Sequence, residues 1–146
     1  MDVAQAALGV ARATVPSGEL NDLLVELCRD LYVVMAELAT LTANADKLVP
    51  GKTAVTESMV KRVEDHIDAY ASKFSLPTEF SIPGSNPTSA SLDMARTIIR
   101  RAERESVSVS DAGSAALRYL NRLSDLIWTL ARWHEDEFTA AKPSKP

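Results

Sequence analysis

The sequence predicts an all-α fold, a five-helix antiparallel bundle in one domain, and three observations support it. Apolar side chains recur every three or four residues along most of the chain, which is the period of an amphipathic helix. The 146 residues are 46% hydrophobic but only 5% aromatic, a composition that suits helices better than a β-sandwich. Most prolines and glycines fall between the periodic segments. We therefore expect one bundle domain at residues 1–138 and a frayed tail at 139–146.

A short break separates the first two predicted helices. The first is predicted at 2–13, before Pro16 and Gly18, which interrupt a helix. The second is predicted at 17–42, with Ser17 as its N-cap. Its apolar residues share one side at helical spacing: Leu20, Leu24, Leu27, Leu31, Val34, Leu38 and Leu41.

A loop rich in proline follows the third predicted helix. Thr56 is predicted to cap that helix, at 56–72. Residues 76–87 then contain three prolines and a glycine, too many breaks for a helix or a central strand. Because this stretch also carries Phe80 and Ile82, we expect an ordered loop rather than a tether.

The last two predicted helices contain the polar clusters of the chain. Asn86 is predicted as the N-cap and Pro87 as the first residue of a fourth helix that ends near Val107. A fifth helix is predicted at 114–137. Its expected core-facing side consists of Leu117, Leu120, Leu123, Ile127, Leu130 and Trp133 or His134.

Composition excludes several classes of protein. Cys28 is the single cysteine, so no internal disulfide can form, and with only His66 and His134 the chain has no zinc signature and no predicted metal site. We see no membrane-spanning segment and no signal peptide, and expect a cytoplasmic protein with no membrane partner. The net charge of -4 and the scarcity of aromatic residues also predict no nucleic-acid partner.

Four arginines within nine residues form the most informative feature, at 96–104. Guanidinium groups stay charged and match phosphate oxygens, so an arginine-lined helix face predicts a nucleotide or polyphosphate site. In the alternative interpretation, Glu103, Glu105 and other acids neutralise the arginines in surface or subunit-contact ion pairs. The residues that share this face are Arg96, Arg100, Glu103 and Arg104.

Asn121 and Asp125 lie one turn apart in the fifth predicted helix. Asn121 could bind a ligand while Asp125 orients Arg122 or an arginine of the fourth helix. Equally, these groups could form a buried polar network that fixes helix register.

The large apolar residues of the proline-rich loop are also open to two interpretations. Phe80 and Ile82 could line an apolar ligand face or plug the end of the bundle. We interpret Trp128 and Trp133 as packing or interface residues.

Several motifs resemble those of the PduO-type ATP:corrinoid adenosyltransferase family. Arg-Thr-x-x-Arg-Arg-Ala-Glu-Arg occupies 96–104, and Tyr-Leu-Asn-Arg-Leu-Ser-Asp occupies 119–125. Phe-x-x-Pro-Gly at 80–84 resembles that family's Phe-x-x-Pro-Gly-Gly loop. The resemblance extends from Asp2 to about Arg132.

The resemblance implies a homotrimer of five-helix bundles with active sites between subunits. The implied reaction moves the 5'-deoxyadenosyl group of ATP, bound with Mg²⁺, onto the cobalt of reduced cobalamin and releases triphosphate. A reductase and an adenosylcobalamin-dependent enzyme are implied as partners.

The resemblance also implies roles for individual residues. Arg100, Glu103 and Asn121 would contact ATP or its metal environment, with Arg100 as a catalytic residue. Arg96, also on the ATP side, would pair with Asp2 across the subunit contact. Phe80 would be catalytic by occupying the lower face of the corrin, where an apolar ring excludes the axial ligand and makes the cobalt easier to reduce.

The chain departs from the family pattern at its start. Family members begin with a Thr-x-Thr-Gly-Asp-x-Gly segment that wraps the ATP phosphates, and Met1 stands where that segment has ended. Ser85 replaces the second glycine of the Phe80 loop, and Glu105 stands where a basic residue is common. Two readings follow: a shortened sequence of an active enzyme, or a non-catalytic corrinoid-binding scaffold that has lost the phosphate grip.

Overall fold

A computed structural model describes residues 1–40, 42–110, 113–135 and 138–143. This part of the chain is helical and contains no extended strand, which confirms the predicted all-α class. Its five α-helices are α1 (Asp2–Ala13), α2 (Glu19–Ala39), α3 (Glu57–Ala71), α4 (Pro87–Ser106) and α5 (Ala116–Trp133).

A sixth helix corrects the predicted count of five. It is a 3-10 helix at Thr42–Lys47, within a stretch whose Thr-Ala-Asn-Ala-Asp-Lys sequence has no apolar period to reveal it. It starts at Thr42, where α2 was expected to end, and α2 ends instead at Ala39. Leu41, expected on the core side of α2, lies outside the described residues, as do 136 and 137 at the predicted end of α5.

Side-chain caps explain two helix starts and fail for a third. The Met59 amide donates to Thr56 Oγ1 at 3.2 Å, and the Ser89 amide donates to Asn86 Oδ1 at 2.8 Å, as predicted. The predicted cap Ser17 is wrong, because α2 starts one residue later with Gly18 as its N-cap and without a side-chain cap.

Contacts between side chains establish the helix directions. Asp93 near the start of α4 contacts Arg132 at the end of α5, and Glu103 near the end of α4 contacts Asn121 near the start of α5, so these helices run antiparallel. α1 packs on α2 and α4, and α3 packs along α5. Tyr70 at the end of α3 contacts Trp133 at the end of α5, and Glu57 at the start of α3 contacts Arg118 near the start of α5. These two helices therefore run parallel. α1 and α2 are antiparallel too, because Gln5 contacts Cys28 and Arg12 contacts Asn21, and so are α2 and α3, through the contacts of Asp30 with Arg62 and Glu19 with Tyr70.

The core lies between these helices and is almost entirely aliphatic. Its largest fully buried side chains include Leu8, Leu24, Leu27, Leu31, Leu92, Ile99, Leu120, Leu123, Ile127 and Leu130. Within the described residues, no helix is long and apolar enough to cross a membrane. The aliphatic packing fixes α4 against α5, and those two helices carry the polar clusters.

The expected tail is in part paired with the proline-rich loop. The Ile82 amide donates to the Thr139 carbonyl at 2.8 Å, and the Ala141 amide donates to the Phe80 carbonyl at 2.7 Å. The described segment from Phe138 onward therefore runs beside the loop, and the fraying of 139–146 stays a prediction. Residues 144–146 lie outside the described part of the chain.

Candidate active site

A cleft of about 860 Å³ lies where the loop at 77–84 meets α4 and α5. Its loop wall contains Phe80, its α4 wall contains Arg96 and Arg100, and its α5 wall contains Asp125. Three separate stretches of sequence therefore converge on one recess, which joins an aromatic ring to two guanidinium groups.

Phe80 is the most exposed large apolar side chain among the described residues. Its side chain is 89% exposed, although burying a phenylalanine normally stabilises a protein. Phe80 therefore does not plug the bundle. The exposed ring stands at the cleft, consistent with the ligand-facing interpretation.

The arginines of α4 divide into paired and unpaired groups. Arg101 Nε donates to Glu105 Oε1 at 3.0 Å in an exposed ion pair, as the neutralising interpretation predicts. Within the described residues, Arg96 and Arg100 have no ion pair. One turn separates them, so both lie on the cleft side of the helix. The α4 wall of the cleft therefore carries two guanidinium groups without an ion pair in the described chain.

Arg96 has a further feature that distinguishes it from a surface arginine. Its Nε atom is buried and has no hydrogen-bond partner within the described chain. A buried donor without a partner is costly, so an acceptor from a water, a ligand or a neighbouring subunit would stabilise this atom. Asp2, its sequence-predicted partner, is exposed and forms no ion pair with it among the described residues.

Two other predicted residues contact each other in a neighbouring groove. Asn121 Nδ2 donates to Glu103 Oε1 at 3.1 Å, which links α5 to α4. A groove of about 480 Å³ contains both side chains together with Arg118 and Arg122. The predicted ATP-contacting residues thus occupy two recesses on the same α4 and α5 surface.

Asp125 orients Arg122, as one interpretation of the sequence proposed. Arg122 is held by Asp125 in an ion pair, and its Nη2 also donates to Asn121 Oδ1 at 3.0 Å. Because Asn121 and Asp125 are both exposed, they do not form a buried register-fixing network. The groups remain accessible at the mouths of the two recesses.

Sequence reasoning missed three residues of the cleft wall: Asp93, Trp128 and Arg132. The Arg132 guanidinium lies 5.8 Å from the centre of the Trp128 ring, within reach of a cation–π interaction. The spacing of Asp125, Trp128 and Arg132, three and four residues apart, is the signal that could have placed them on one face. Trp133 does pack as predicted, edge-on against Tyr70 at 4.8 Å between ring centres.

A separate polar cluster lies outside the cleft, between α2, α3 and α5. Arg62 Nη2 donates to Asp30 at 2.7 and 2.8 Å, and Tyr119 Oη donates to the same carboxylate at 2.7 Å. Burial and the negative charge of Asp30 raise the pKa of Tyr119 well above its ordinary value. Tyr119 is therefore a neutral donor that ties α5 to α2.

The described residues contain no group of three histidine, cysteine, aspartate or glutamate side chains able to hold a metal ion. Mg²⁺ commonly binds through one or two carboxylates together with substrate phosphates. Glu103 is the carboxylate of the α4 face that could take part in such a shared site.

A sequence-family model described as cobalamin adenosyltransferase matches residues 1–134. The corrinoid adenosyltransferase of Mycobacterium tuberculosis (strain ATCC 25618 / H37Rv) is 39% identical over 137 residues, which cover 90% of this chain and 70% of that protein. The corrinoid adenosyltransferase of Bacillus subtilis (strain 168) is 35% identical over 133 residues, covering 86% of this chain and 65% of that protein.

A solved structure has the same fold. It is a variant of the PduO-type ATP:corrinoid adenosyltransferase from Lactobacillus reuteri, complexed with cobalamin and ATP. The TM-score is 0.84 at 25% sequence identity, and the match covers 99% of this chain and 81% of that chain.

Proposed function

This chain belongs to the cobalamin adenosyltransferase family, and from that membership and the cleft we propose that it transfers the 5'-deoxyadenosyl group of ATP to the cobalt of reduced cobalamin. Family membership identifies the chain as an enzyme of the corrinoid adenosyltransferase class. The observation that carries the proposal is the cleft in which the exposed Phe80 ring faces the same space as the unpaired Arg96 and Arg100.

The proposed reaction needs positioning and charge stabilisation more than proton transfer. The electron pair of cob(I)alamin forms the bond from cobalt to C5' of ATP, and the bond from C5' to the phosphate oxygen breaks. Triphosphate leaves with the electrons of that bond, so negative charge increases at the leaving group. Fixed cations aimed at this charge lower the barrier, because they do not have to reorganise during the reaction.

Arg100 is proposed to supply this charge as the catalytic arginine. It is exposed in the cleft and has no carboxylate partner in the described chain, so its guanidinium is free to bind triphosphate oxygens. Arg96, one turn earlier, is proposed to support the same anion. Glu103 and Asn121, joined by their hydrogen bond, are proposed to contact ATP or its Mg²⁺ from the adjoining groove.

Phe80 is proposed to occupy the lower face of the corrin. An exposed phenyl ring offers no donor atom to cobalt, and it excludes water and other axial ligands from that face. Cobalt without an axial ligand is easier to reduce to the nucleophilic cob(I) state. Trp128, half-buried in the same cleft, supplies a second apolar surface.

We propose a homotrimer whose sites lie at subunit contacts. The buried, unpartnered Nε of Arg96 supports this arrangement, since Asp2 of an adjacent subunit could supply the missing acceptor. The cytoplasmic location, the reductase and the adenosylcobalamin-dependent enzyme remain predictions from sequence and resemblance.

The test is anaerobic conversion of chemically reduced cobalamin with MgATP, followed through the visible spectrum. We expect adenosylcobalamin to form only when both the protein and ATP are present. If conversion is absent while cob(II)alamin acquires the spectrum of a four-coordinate cobalt, the enzyme proposal fails and the non-catalytic corrinoid-binding alternative is supported. If the corrinoid spectrum does not change at all, both fail.

A further inference from the structure

We propose that a clamp made of the half-buried Ser81 and the buried side chains of Glu135, Arg132 and Asp93 holds the Phe80 loop, so that these side chains act as positioning residues for the Phe80 ring. The inference rests on the proposed function for the role of that ring. The clamp itself is a property of the free protein and can be tested without a ligand.

The clamp is a continuous chain of polar contacts from the loop to α4. Ser81 Oγ donates to Glu135 Oε1 at 2.8 Å, and Arg132 Nη2 lies 3.0 Å from the same oxygen in an ion pair. Arg132 Nη2 also binds Asp93 Oδ2. The loop residue directly after Phe80 is therefore linked through α5 to the opposite cleft wall.

Burial makes these contacts different from surface ion pairs. The side chains of Arg132 and Glu135 are 5% and 6% exposed, and that of Asp93 is 11% exposed. Removing one member of a buried ion pair leaves an uncompensated charge, so such contacts resist change. The Arg132 guanidinium makes its ion pairs through Nη2, while its Nε atom is buried without a hydrogen-bond partner in the described chain. One guanidinium here serves two carboxylates, so Glu135 needs a second donor, and the Ser81 hydroxyl provides it.

Backbone hydrogen bonds flank the clamp on both sides. The Phe80 carbonyl accepts from the Ala141 amide at 2.7 Å, and the Ile82 amide donates to the Thr139 carbonyl at 2.8 Å. Three consecutive residues of the loop are thus fixed, two by main-chain bonds and Ser81 by its side chain. The Phe80 ring nevertheless remains 89% exposed.

The clamp explains how such an exposed ring can be maintained. A phenylalanine on an unrestrained loop gains free energy by folding onto nearby apolar surface, and Ile82, Met94 and Phe138 offer such surface with exposures of 48%, 64% and 47%. Fixing the backbone on either side of Phe80 opposes this collapse. The ring is then already in place when a flat apolar ligand enters.

The ligand-free test is hydrogen exchange of the Ile82 and Ala141 amides in Ser81→Ala and Glu135→Ala. We expect both amides to exchange at least about tenfold faster in each variant, because local opening of the loop becomes easier. Ser85→Ala is the matched control, since the Ser85 hydroxyl contacts Ser89 rather than the clamp. Unchanged exchange in both clamp variants would overturn the proposal.

A second measurement tests the consequence for the corrinoid. In Ser81→Ala we expect a smaller fraction of four-coordinate cob(II)alamin and about a tenfold lower kcat, with the KM for ATP within about twofold of the original. A normal fraction and kcat would overturn the positioning role. Faster amide exchange in the clamp variants, with no four-coordinate cob(II)alamin formed by the original protein, would support the clamp and contradict the proposed role of Phe80.

Discussion

Arg62 and Arg100 are arginines of the same bundle in opposite surroundings. Arg62 binds both oxygens of Asp30, a carboxylate that also accepts from Tyr119, and it lies beside Glu26. Arg100 faces a cleft and has no ion pair within the described chain. Partners, rather than residue type, therefore distinguish a structural arginine from one available to a ligand.

The largest effect is expected for Arg100→Ala. Removing a group that stabilises the departing triphosphate should lower kcat/KM by about 10²- to 10³-fold, the usual cost of one such donor. Because Arg100 makes no ion pair in the fold, the thermal midpoint should not change measurably. Anaerobic conversion kinetics and thermal unfolding measure the two quantities.

Arg101→Ala is the matched control for Arg100→Ala. It removes the same charge one residue away, from an exposed pair with Glu105, and Arg101 does not line the cleft. We expect nearly normal turnover. Equal losses in the two variants would contradict a specific role for Arg100 and indicate a general effect of charge on α4.

Asp30→Ala should have the converse effect. It leaves the buried Tyr119 hydroxyl without its acceptor and Arg62 without its main partner, so the free energy of unfolding should fall by about 3 kcal/mol. Turnover per folded molecule should be nearly unchanged. Urea unfolding, with Asp65→Ala in an exposed pair as the control, measures the difference. A loss of turnover without a loss of stability would contradict a purely structural role.

Phe80→Ala should affect activity alone, by a smaller factor. The ring is 89% exposed, so its removal should change the free energy of unfolding by less than about 0.5 kcal/mol. Turnover should fall at least about tenfold as the lower face of the corrin becomes open to axial ligands. Tyr32→Ala, an exposed aromatic outside the cleft, is the control. Normal turnover in Phe80→Ala would remove Phe80 from the proposed mechanism.

Local signals in the sequence predicted most of the fold. Apolar periodicity and the caps Thr56 and Asn86 located the helices, because both act within a few residues of chain. The 3-10 helix at Thr42–Lys47 escaped because its six residues carry no apolar pattern. The pairing of Phe80 and Ile82 with residues near 140 also escaped, since main-chain bonds across nearly 60 residues leave no local pattern.

The candidate site was predictable only in part. The arginine spacing and the family motifs identified Arg96, Arg100 and Phe80, which the fold brings to one cleft. The spacing of Arg101 and Glu105, four residues apart, allowed their pair, but the sequence equally offered Glu103 to Arg100. That Glu103 binds Asn121 and leaves Arg100 without an ion pair depends on side-chain geometry. The clamp at Arg132 and Glu135 was invisible for the same reason.

The smallest effect is expected for an exposed ion pair, the one between Arg118 and Glu57. The hydrogen bond from Arg118, with Nη1 to Oε2 at 2.7 Å, holds the pKa of Glu57 below its ordinary value of 4.5. A carboxyl with a lowered pKa in the folded state stabilises the fold above about pH 4.5 and loses that contribution as the pH falls through the folded value. Urea unfolding should therefore show Arg118→Ala less stable than the original protein near pH 7, with the difference shrinking near pH 3. Arg100→Ala, which has no carboxylate to release, should show no such pH-dependent difference. A difference for Arg118→Ala that persists at low pH would mean that Arg118 stabilises the bundle by packing against α3 rather than through Glu57.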